Sequence, residues 1–148
     1  MIKIQLLKKA DPQALQVINH LMSQMSLTRM RPKKISLKKF KFMLSQPGLY
    51  LFTARSESEK IIGMVSLYFV GLPSGLHAVV EDLIVDKPYR YFGIGRLLME
   101  KVIKLATVRK ARHLSLRTNS KRLEAMKLYE ALGFNNRPTN FYRINLFK

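Results

Sequence analysis

The sequence predicts an α+β domain built on one mixed β-sheet. Three observations indicate this class: apolar, strand-like runs lie close together between residues 49 and 85, helical stretches lie on both sides of them, and the last run opens a strand–helix–strand unit. Short polar connections favour antiparallel pairing, whereas a strand–helix–strand unit favours parallel pairing. We therefore expect a sheet with both kinds of pairing, flanked by about four helices.

The first 48 residues are predicted to form one strand and two helices. Residues 1–7 alternate between polar and apolar side chains, which is typical of a strand. Asp11-Pro12 is typical of a helix N-cap followed by proline in the first turn. Ser36 is predicted to cap a second, short helix, which Gln46-Pro47-Gly48 would end with a turn.

The remaining elements are predicted from apolar runs and from the glycines and prolines between them. Three strands between residues 49 and 85 should form an antiparallel meander, and the unit from Ala78 to Thr118 a right-handed parallel crossover. The three predicted strands of the meander are Leu49–Ala54, Ile61–Val70 and Ala78–Val85, with a loop at Gly71–Gly75 between the last two. After them we predict a helix after Pro88, a strand at His113–Thr118, a helix at Lys121–Leu132 that Gly133 stops, and a last strand at Phe141–Phe147.

Composition excludes several classes of protein. The length of 148 residues fits a single domain, 1–148, and a hydrophobic fraction of 47% is too high for a disordered basic tail. Cysteine is absent, which excludes a disulfide scaffold, a thiolate zinc site and acyl-cysteine chemistry. The three histidines are far apart in sequence, so no metal site is expected. No apolar run approaches the length of a membrane span and no signal-peptide core is present, so we expect a cytoplasmic protein.

The most informative stretch is the strand-to-helix turn that contains Gly93 and Gly95. Glycines let backbone N–H groups come close to an anion, and a helix N-terminus adds partial positive charge. Arg90 and Arg96 flank the glycines and can neutralise phosphate oxygens. The Walker pattern does not fit, because arginine follows Gly95, and the dinucleotide-binding pattern lacks its third glycine, since Leu98 stands there. The structural alternative is a glycine-rich turn that leads into a helix and has no role in anion binding.

Two motifs resemble signatures of the GNAT superfamily of N-acetyltransferases. Arg90–Gly95 (RYFGIG) is similar to the family's Arg/Gln-x-x-Gly-x-Gly/Ala signature at a strand-to-helix turn. Tyr129–Phe134 (YEALGF) is similar to the family's Tyr-x-x-x-Gly-Phe at the end of a helix. The order of predicted elements also resembles the family's over nearly the whole chain. The resemblance implies the GNAT acyl-CoA N-acyltransferase fold, N-acetyltransferase activity, and acetyl-CoA as cosubstrate.

The resemblance also implies where acetyl-CoA would bind. Its pyrophosphate would lie on the backbone amides from Phe92 to Arg96, and its pantetheine would pair like an extra strand with Leu83–Val85, where family members hold two parallel strands apart. This chain has Tyr91 where many members have glycine, and Arg122 where the family often has asparagine, although Asn119 lies close. The implied coenzyme-binding residues are Leu83, Ile84, Val85, Arg90, Tyr91, Phe92, Gly93, Ile94, Gly95, Arg96, Asn119 and Arg122.

Acetyl transfer to an amine needs a proton acceptor, because a primary ammonium near pKa 10 is only about one part in a thousand free amine at pH 7. Glu81 is the predicted base, since it resembles the glutamate of a Glu-Asp pair that polyamine acetyltransferases of the family carry before the signature. Period-two alternation would put Glu81 on the strand face of Leu83 and Val85, and Asp82 on the opposite face. The alternatives are that Glu81 only pairs with a nearby cation, and that a water chain is the base.

The resemblance implies Tyr129 as the proton donor to the departing thiolate. A phenol near pKa 10 is a weaker acid than a thiol near 8.5, so full proton transfer would be uphill by about 2 kcal/mol. A hydrogen bond to the developing thiolate is then the expected role of Tyr129. The alternative is a packed core residue, since Ala125, Leu128 and Leu132 share its helical stripe.

The charge leaves two classes of function to compare. Lys and Arg number 27 against 9 Asp and Glu, giving +18, and residues 29–41 hold seven basic residues and no acidic one. Such a surface attracts polyanions in a salt-dependent, sequence-independent way. The preferred function is an acetyl-CoA-dependent N-acetyltransferase that moves the acetyl group directly to a primary amine of a small molecule or a protein. The alternative is a GNAT-like binding module that uses its basic surface for nucleic acid or another polyanion.

The resemblance implies that the acceptor-binding wall comes largely from residues 15–44 and 71–77. Both segments lack acidic residues, which argues against a polycationic acceptor and favours an amine that also carries a carboxylate or phosphate. The expected partners are thus acetyl-CoA and an amine acceptor, with no membrane, and with nucleic acid not favoured. Similar proteins are commonly dimers, so a homodimer is an option for this chain.

Overall fold

The computed structural model describes residues 1–25 and 33–147, and the chain divides into two compact units, Met1–Arg117 and Thr118–Lys148. The α+β class with a mixed sheet is confirmed, while one domain over 1–148 stays a prediction. The second unit contains α4 (Leu123–Ala131), which Gly133 follows with a φ of +92°, as expected of a helix stop. The first unit contains β1 (Lys3–Leu6), α1 (Pro12–Ser23), α2 (Leu37–Leu44), β2 (Leu49–Arg55), β3 (Ile61–Leu72), β4 (Gly75–Val85), a 3-10 turn (Lys87–Tyr89), α3 (Ile94–Val108) and β5 (Leu114–Leu116).

Both predicted N-caps of the first two helices are confirmed. The Asp11 carboxylate accepts a hydrogen bond from the Ala14 N–H at 2.8 Å, and the Ser36 hydroxyl accepts one from the Lys39 N–H at 3.2 Å. Each cap satisfies a backbone donor that has no acceptor inside its own helix. The starts of α1 and α2 are therefore determined locally.

The sheet has the order β1-β2-β3-β4-β5. The first four strands pair antiparallel, and β4 pairs with β5 in parallel, as predicted. The predicted loop Gly71–Gly75 is wrong, because Gly71 pairs with Leu76 and the hairpin connection shortens to Pro73-Ser74. Gly75 has a φ of +122°, a conformation that glycine adopts without steric cost, and this allows the tight turn.

The end of the chain differs most from the prediction. β5 covers only Leu114–Leu116 of the expected strand His113–Thr118, and the expected strand Phe141–Phe147 is wrong, since it joins no strand ladder among the described residues. A strand is stable only when a neighbour accepts and donates its backbone hydrogen bonds, and an alternating sequence cannot supply that neighbour. The apolar side chains of this segment are exposed, from 56% at Phe141 to 92% at Phe147.

Helices cover both faces of the sheet. Met64 and Ile84 belong to the apolar cluster that Ile18 and Leu21 of α1 and Phe40 of α2 complete. Neighbouring residues of a strand point to opposite faces. Accordingly, a Cβ atom on Gly63 would meet Leu98 of α3 at 3.4 Å. The core thus has an α1/α2 side and an α3 side. Within the described residues, no helix is long and apolar enough to cross a membrane.

Candidate active site

One edge of β4 is open where the strand leaves its parallel neighbour. β5 pairs only with Ala78–Val80, so residues 81–85 of β4 have no strand on that side within the described part of the chain. Backbone N–H and C=O groups on an unpaired strand edge can accept an added extended chain. The edge includes Leu83–Val85, the segment that, by the family resemblance, would pair with pantetheine.

A glycine loop connects the open edge to α3. Tyr91 and Gly93 have positive φ angles of 69° and 76°, and Gly93 is the N-cap of α3 with no side-chain cap hydrogen bond. The first intrahelical bond runs from the Leu97 N–H to the Gly93 carbonyl at 3.1 Å, so the preceding N–H groups of the turn have no acceptor within the helix. Free N–H groups at a helix N-terminus fit a phosphate. Tyr91 and Phe92 are exposed, whereas Ile94 is buried and anchors the helix start.

The two arginines beside the glycines are engaged within the protein. Arg90 donates from Nε to the Val85 carbonyl at 2.9 Å and from Nη2 to the Gln24 side-chain oxygen at 3.4 Å. Arg96 pairs with Glu100 one helical turn later at 2.9 Å, and both side chains are about half exposed. Their contact with phosphate stays a prediction. Through the bond to Val85, Arg90 connects the glycine loop to β4, the strand that precedes it.

A β-bulge in β4 overturns the expected orientation of the two carboxylates. Ser66 pairs with Glu81 and Met64 pairs with Ile84, so Val65 alone lies opposite Asp82 and Leu83. The extra residue changes the alternation of β4. Glu81 therefore shares the α1/α2 face with Ile84, and its predicted alignment with Leu83 and Val85 is wrong.

Asp82 lies in the bulge with a φ of +53°, and its side chain hydrogen-bonds with Ser66, the residue that pairs with Glu81, so its predicted place on the face opposite Glu81 is also wrong. Aspartate is among the few non-glycine residues that adopt this left-handed conformation readily. Burial, and then the neighbouring Glu81 carboxylate, raise the pKa of Asp82, while a hydrogen bond with the Ser66 side chain opposes the rise. Sequence reasoning missed Asp82 as a candidate base, because no local pattern signals the bulge.

Glu81 pairs with a cation, as one alternative anticipated. Its carboxylate lies 3.2 Å from Nη2 of Arg117, the last residue of the first unit, and its side chain is 35% exposed. The ion pair gives the Glu81 carboxylate a cationic partner within the first unit. Glu81 and Asp82 together form a carboxylate pair next to the open edge.

Tyr129 lies in α4 of the second unit and is only 9% exposed. Its ring meets Phe134 edge-on with centroids 6.0 Å apart, and its carbonyl accepts from the Phe134 N–H at 3.0 Å. The Gly-Phe end of the motif thus folds back on the tyrosine. Burial raises the pKa of Tyr129, and the nearby positive charge of Arg122 opposes that rise, so the phenol stays protonated at neutral pH.

The polar residues before α4 form its entry turn. The Asn119 side-chain oxygen accepts from the Lys121 N–H at 2.9 Å, and the Asn119 carbonyl accepts from the Arg122 N–H at 2.9 Å. This use of Asn119 is a local turn in which a side chain replaces a backbone acceptor. The predicted coenzyme contacts of Asn119 and Arg122 stay predictions.

The basic cluster of residues 29–41 is only partly described by the structure. Two of its residues, Arg29 and Arg31, lie outside the described residues. The cluster's five lysines that the structure describes are all exposed, which is what a solvated charged face requires. They are Lys33, Lys34, Lys38, Lys39 and Lys41.

Comparison with known proteins identifies related sequences. The profile of the acetyltransferase (GNAT) family matches residues 14–134. N-acetyltransferase 8 from Homo sapiens is 32% identical over 104 residues, which cover 69% of this chain and 45% of the relative. The chain thus spans about half the length of the curated relatives it matches.

Solved structures share the fold. A transcriptional regulator from Bacillus halodurans C-125 superposes with a TM-score of 0.84 at 22% identity, covering 99% of this chain and all of the other. AAC(6')-Iy, in complex with the bisubstrate analogue CoA-S-monomethyl-acetylneamine, superposes with a TM-score of 0.77 at 20% identity, covering 98% of this chain and 99% of the other. At these identities, the likeness concerns the fold.

Proposed function

Because the chain belongs to the acetyltransferase (GNAT) family, we propose that it transfers an acetyl group from acetyl-CoA directly to a primary amine of a small molecule or a protein. Direct transfer is favoured because the chain has no cysteine that could carry the acetyl group. The relative named N-acetyltransferase 8 supports the reaction class. Both substrates would then be bound together before the transfer.

The observation that carries this proposal is the open edge of β4 next to the uncapped start of α3. An extended pantetheine arm can add to residues 83–85 as a strand, and the pyrophosphate can take the free N–H groups from Phe92 to Arg96. One continuous path thus offers strand hydrogen bonds to the arm and positive charge to the phosphates. The acetyl thioester at the end of the arm would come to the carboxylate pair of β4.

Tyr129 is proposed to stabilise the departing thiolate. As the amine nitrogen bonds to the acetyl carbon, the carbon–sulfur bond breaks and negative charge moves to sulfur. A phenol whose pKa is raised by burial keeps its proton, so Tyr129 acts by donating a hydrogen bond more than by complete transfer. The thiolate, whose ordinary pKa is near 8.5, can take its proton from water afterwards.

One carboxylate of the β4 pair, directly or through water, is proposed to remove the proton from the amine. Glu81 remains the base that the resemblance implies. Asp82 is a second candidate, because burial raises its pKa and a higher pKa makes a carboxylate a better proton acceptor. The two differ in environment, since Glu81 has Arg117 beside it and Asp82 has Ser66.

The acceptor is proposed to be an amine that also carries an acidic group. The described part of residues 15–44 presents exposed lysines and no carboxylate, so a carboxylate or phosphate on the acceptor would meet a favourable field. A polycationic amine would be repelled by the same field.

Two measurements test this function. Calorimetric titration with acetyl-CoA should give saturable binding in the micromolar range, and a panel of amines should release free CoA only when a substrate amine is present. The panel contrasts amines of similar size with and without a carboxylate or phosphate. Titration without heat or thermal shift would refute the coenzyme site, whereas binding without CoA release for any amine would favour the binding-module alternative.

A further inference from the structure

The glycine loop is held to α1 by one side chain, Gln24, which no motif singles out. Gln24 is the C-cap of α1 and is half-buried. Its side-chain nitrogen donates to the Asp86 carboxylate at 2.7 Å, and its side-chain oxygen accepts from the Lys87 N–H at 3.0 Å and from Arg90 at 3.4 Å. One amide thus contacts three successive parts of the segment that leads into the loop.

With a carboxylate at residue 86, this arrangement requires an amide at residue 24. The NH₂ group of Gln24 faces the Asp86 carboxylate and lies 3.0 Å from the His20 ring nitrogen, and its oxygen faces two donors, so one orientation of the amide satisfies the carboxylate and both donors. The carboxylate is Asp86, which is 6% exposed and would lack a close donor without Gln24 and His20, whose ring lies 3.5 Å away. A buried carboxylate without hydrogen bonds is costly, and so the pair keeps α1 and the end of β4 together.

The segment that Gln24 contacts leads directly into the glycine loop. The 3-10 turn Lys87–Tyr89 begins directly after Asp86, and the Tyr89 N–H donates to the Asp86 carbonyl at 2.8 Å. Arg90, which directly follows the turn, also donates to the Val85 carbonyl. The positive φ angles of Tyr91 and Gly93 follow, and these orient the free N–H groups at the start of α3.

We propose that Gln24 is a positioning residue for coenzyme binding, which fixes the phosphate-binding loop through Asp86, Lys87 and Arg90 without touching the coenzyme. The inference rests on the proposed function, because it assigns Gln24 to the same coenzyme site. Arg90 then acts by holding the loop together, and α1 becomes part of the support of the coenzyme site. Loss of Gln24 should therefore raise the Kd of CoA and the KM of acetyl-CoA, and leave kcat at saturation nearly unchanged.

The test exchanges the amide of residue 24 and the carboxylate of residue 86, so that a hydrogen bond between the two side chains can still form. Gln24→Ala should weaken CoA binding on the order of tenfold, and Gln24→Glu should weaken it as well, because two carboxylates would then face each other. The double variant Gln24→Glu/Asp86→Asn restores a donor opposite an acceptor and should recover affinity to within about threefold of the original protein. Gln13→Ala is the control and should leave CoA affinity and the kinetic constants unchanged, because Gln13 is an exposed glutamine of the same helix outside the proposed acceptor-binding wall.

Calorimetry with CoA and steady-state kinetics with acetyl-CoA give the readouts, and ADP as a competitor isolates the pyrophosphate end. Affinity for ADP should fall with that for CoA in Gln24→Ala. The inference is overturned if Gln24→Ala behaves like Gln13→Ala, if kcat falls while KM is constant, or if the double variant is no better than Gln24→Glu. The double variant keeps the test valid if Gln24→Ala does not fold. Absence of CoA binding by the unaltered protein would instead refute the proposed function.

Discussion

At the scale of single residues, burial affects the protonation of two candidate catalytic groups, Tyr129 and Asp82. Tyr129 is almost fully buried and keeps its proton at neutral pH, because burial raises the pKa of its phenol. Burial also raises the pKa of Asp82, which favours its neutral form. Burial therefore has two consequences: the Tyr129 phenol keeps its proton more firmly, and the Asp82 carboxylate becomes a better proton acceptor.

Replacing Tyr129 with phenylalanine removes the hydroxyl and keeps the ring that packs against Phe134. We expect kcat to fall on the order of 100-fold, since the developing thiolate loses its hydrogen-bond donor. Affinity for CoA should stay nearly constant. Tyr142→Phe is the control, because Tyr142 belongs to the same unit and is 84% exposed. Unaltered turnover in Tyr129→Phe would make Tyr129 a packing residue only.

Replacing Asp82 with asparagine tests the destabilising charge in the bulge. Because the pKa of Asp82 is raised in the folded protein, its contribution to stability is fully present below the unfolded pKa near 3.9 and is lost as the pH rises through the folded value. Asp82→Asn should therefore raise Tm at pH 7, and the gain should shrink as the pH approaches 3. Asparagine also tolerates a positive φ, so the change isolates the charge.

The control for this prediction is Asp11→Asn, because asparagine caps helices about as well as aspartate. It should change Tm little at either pH. A lower Tm for Asp82→Asn at pH 7 would mean that the ionised carboxylate stabilises the bulge.

Comparison of the pH–rate profiles of Asp82→Asn and Glu81→Gln identifies the base. Only the variant that lacks the base should lose the acidic limb of the profile.

At the scale of elements, the position of α3 against the sheet depends on a glycine in β3. A Cβ atom on Gly63 would lie 3.1 Å from the Ile84 carbonyl oxygen, 3.4 Å from Leu98 and 3.6 Å from Ile94. The first of these is backbone of β4, and the last is the first residue of α3. Gly63 therefore allows the helix that begins at the glycine loop to pack closely on the strand with the open edge.

Gly63→Ala should destabilise the fold by about 1–3 kcal/mol, because the methyl group must displace the β4 backbone or the start of α3. CoA affinity should fall as well, since the buried Ile94 anchors the helix N-terminus that is proposed to bind the pyrophosphate. Urea unfolding and CoA calorimetry give the two readouts.

The matched control is Gly71→Ala in the same strand. Nothing lies within 4 Å of a Cβ atom at Gly71, so this variant should be neutral or slightly stabilising. Equal effects of the two substitutions would mean that backbone flexibility, and not close packing, explains Gly63.

At the scale of the whole molecule, the net charge of +18 should produce weak binding to any polyanion. We expect binding to duplex DNA at 50 mM salt that weakens by about 10³-fold or more at 200 mM and shows no sequence preference. Mobility-shift titrations at several salt concentrations measure this. Binding that survives physiological salt and prefers a sequence would favour the binding-module function.

Two charge-reversal variants separate general from local attraction. Lys38→Glu/Lys39→Glu/Lys41→Glu changes exposed lysines of α2, and Lys101→Glu/Lys104→Glu changes exposed lysines of α3. General attraction predicts losses in proportion to the number of charges reversed. A loss confined to the α2 variant would identify the basic cluster as a specific polyanion site.

Much of the fold follows from local sequence. The caps at Asp11 and Ser36, the glycine stop after α4 and the antiparallel meander each depend on residues close together in the chain, and each is confirmed. The glycine loop is local too, because Gly93 can adopt the positive φ that this turn requires and an apolar helical pattern begins directly after it. The observed hairpin between β3 and β4 differs from the predicted one only in the length of its connection.

The tertiary structure decided what depends on partners distant in sequence. The bulge that places Glu81 and Asp82 appears only in the pairing of β4 with β3, and the contact of Gln24 with Asp86 joins residues 62 positions apart. Phe141–Phe147 has the alternation of a strand but lacks a neighbour to pair with. The sequence by itself determined the family, the glycine loop and the candidate tyrosine, because those depend on residue type and spacing. Only the tertiary structure decided which helices Glu81 faces and which side chain contacts the segment before the glycine loop. The physical reason is that strand register and long-range hydrogen bonds leave no periodic signal in the sequence of one chain.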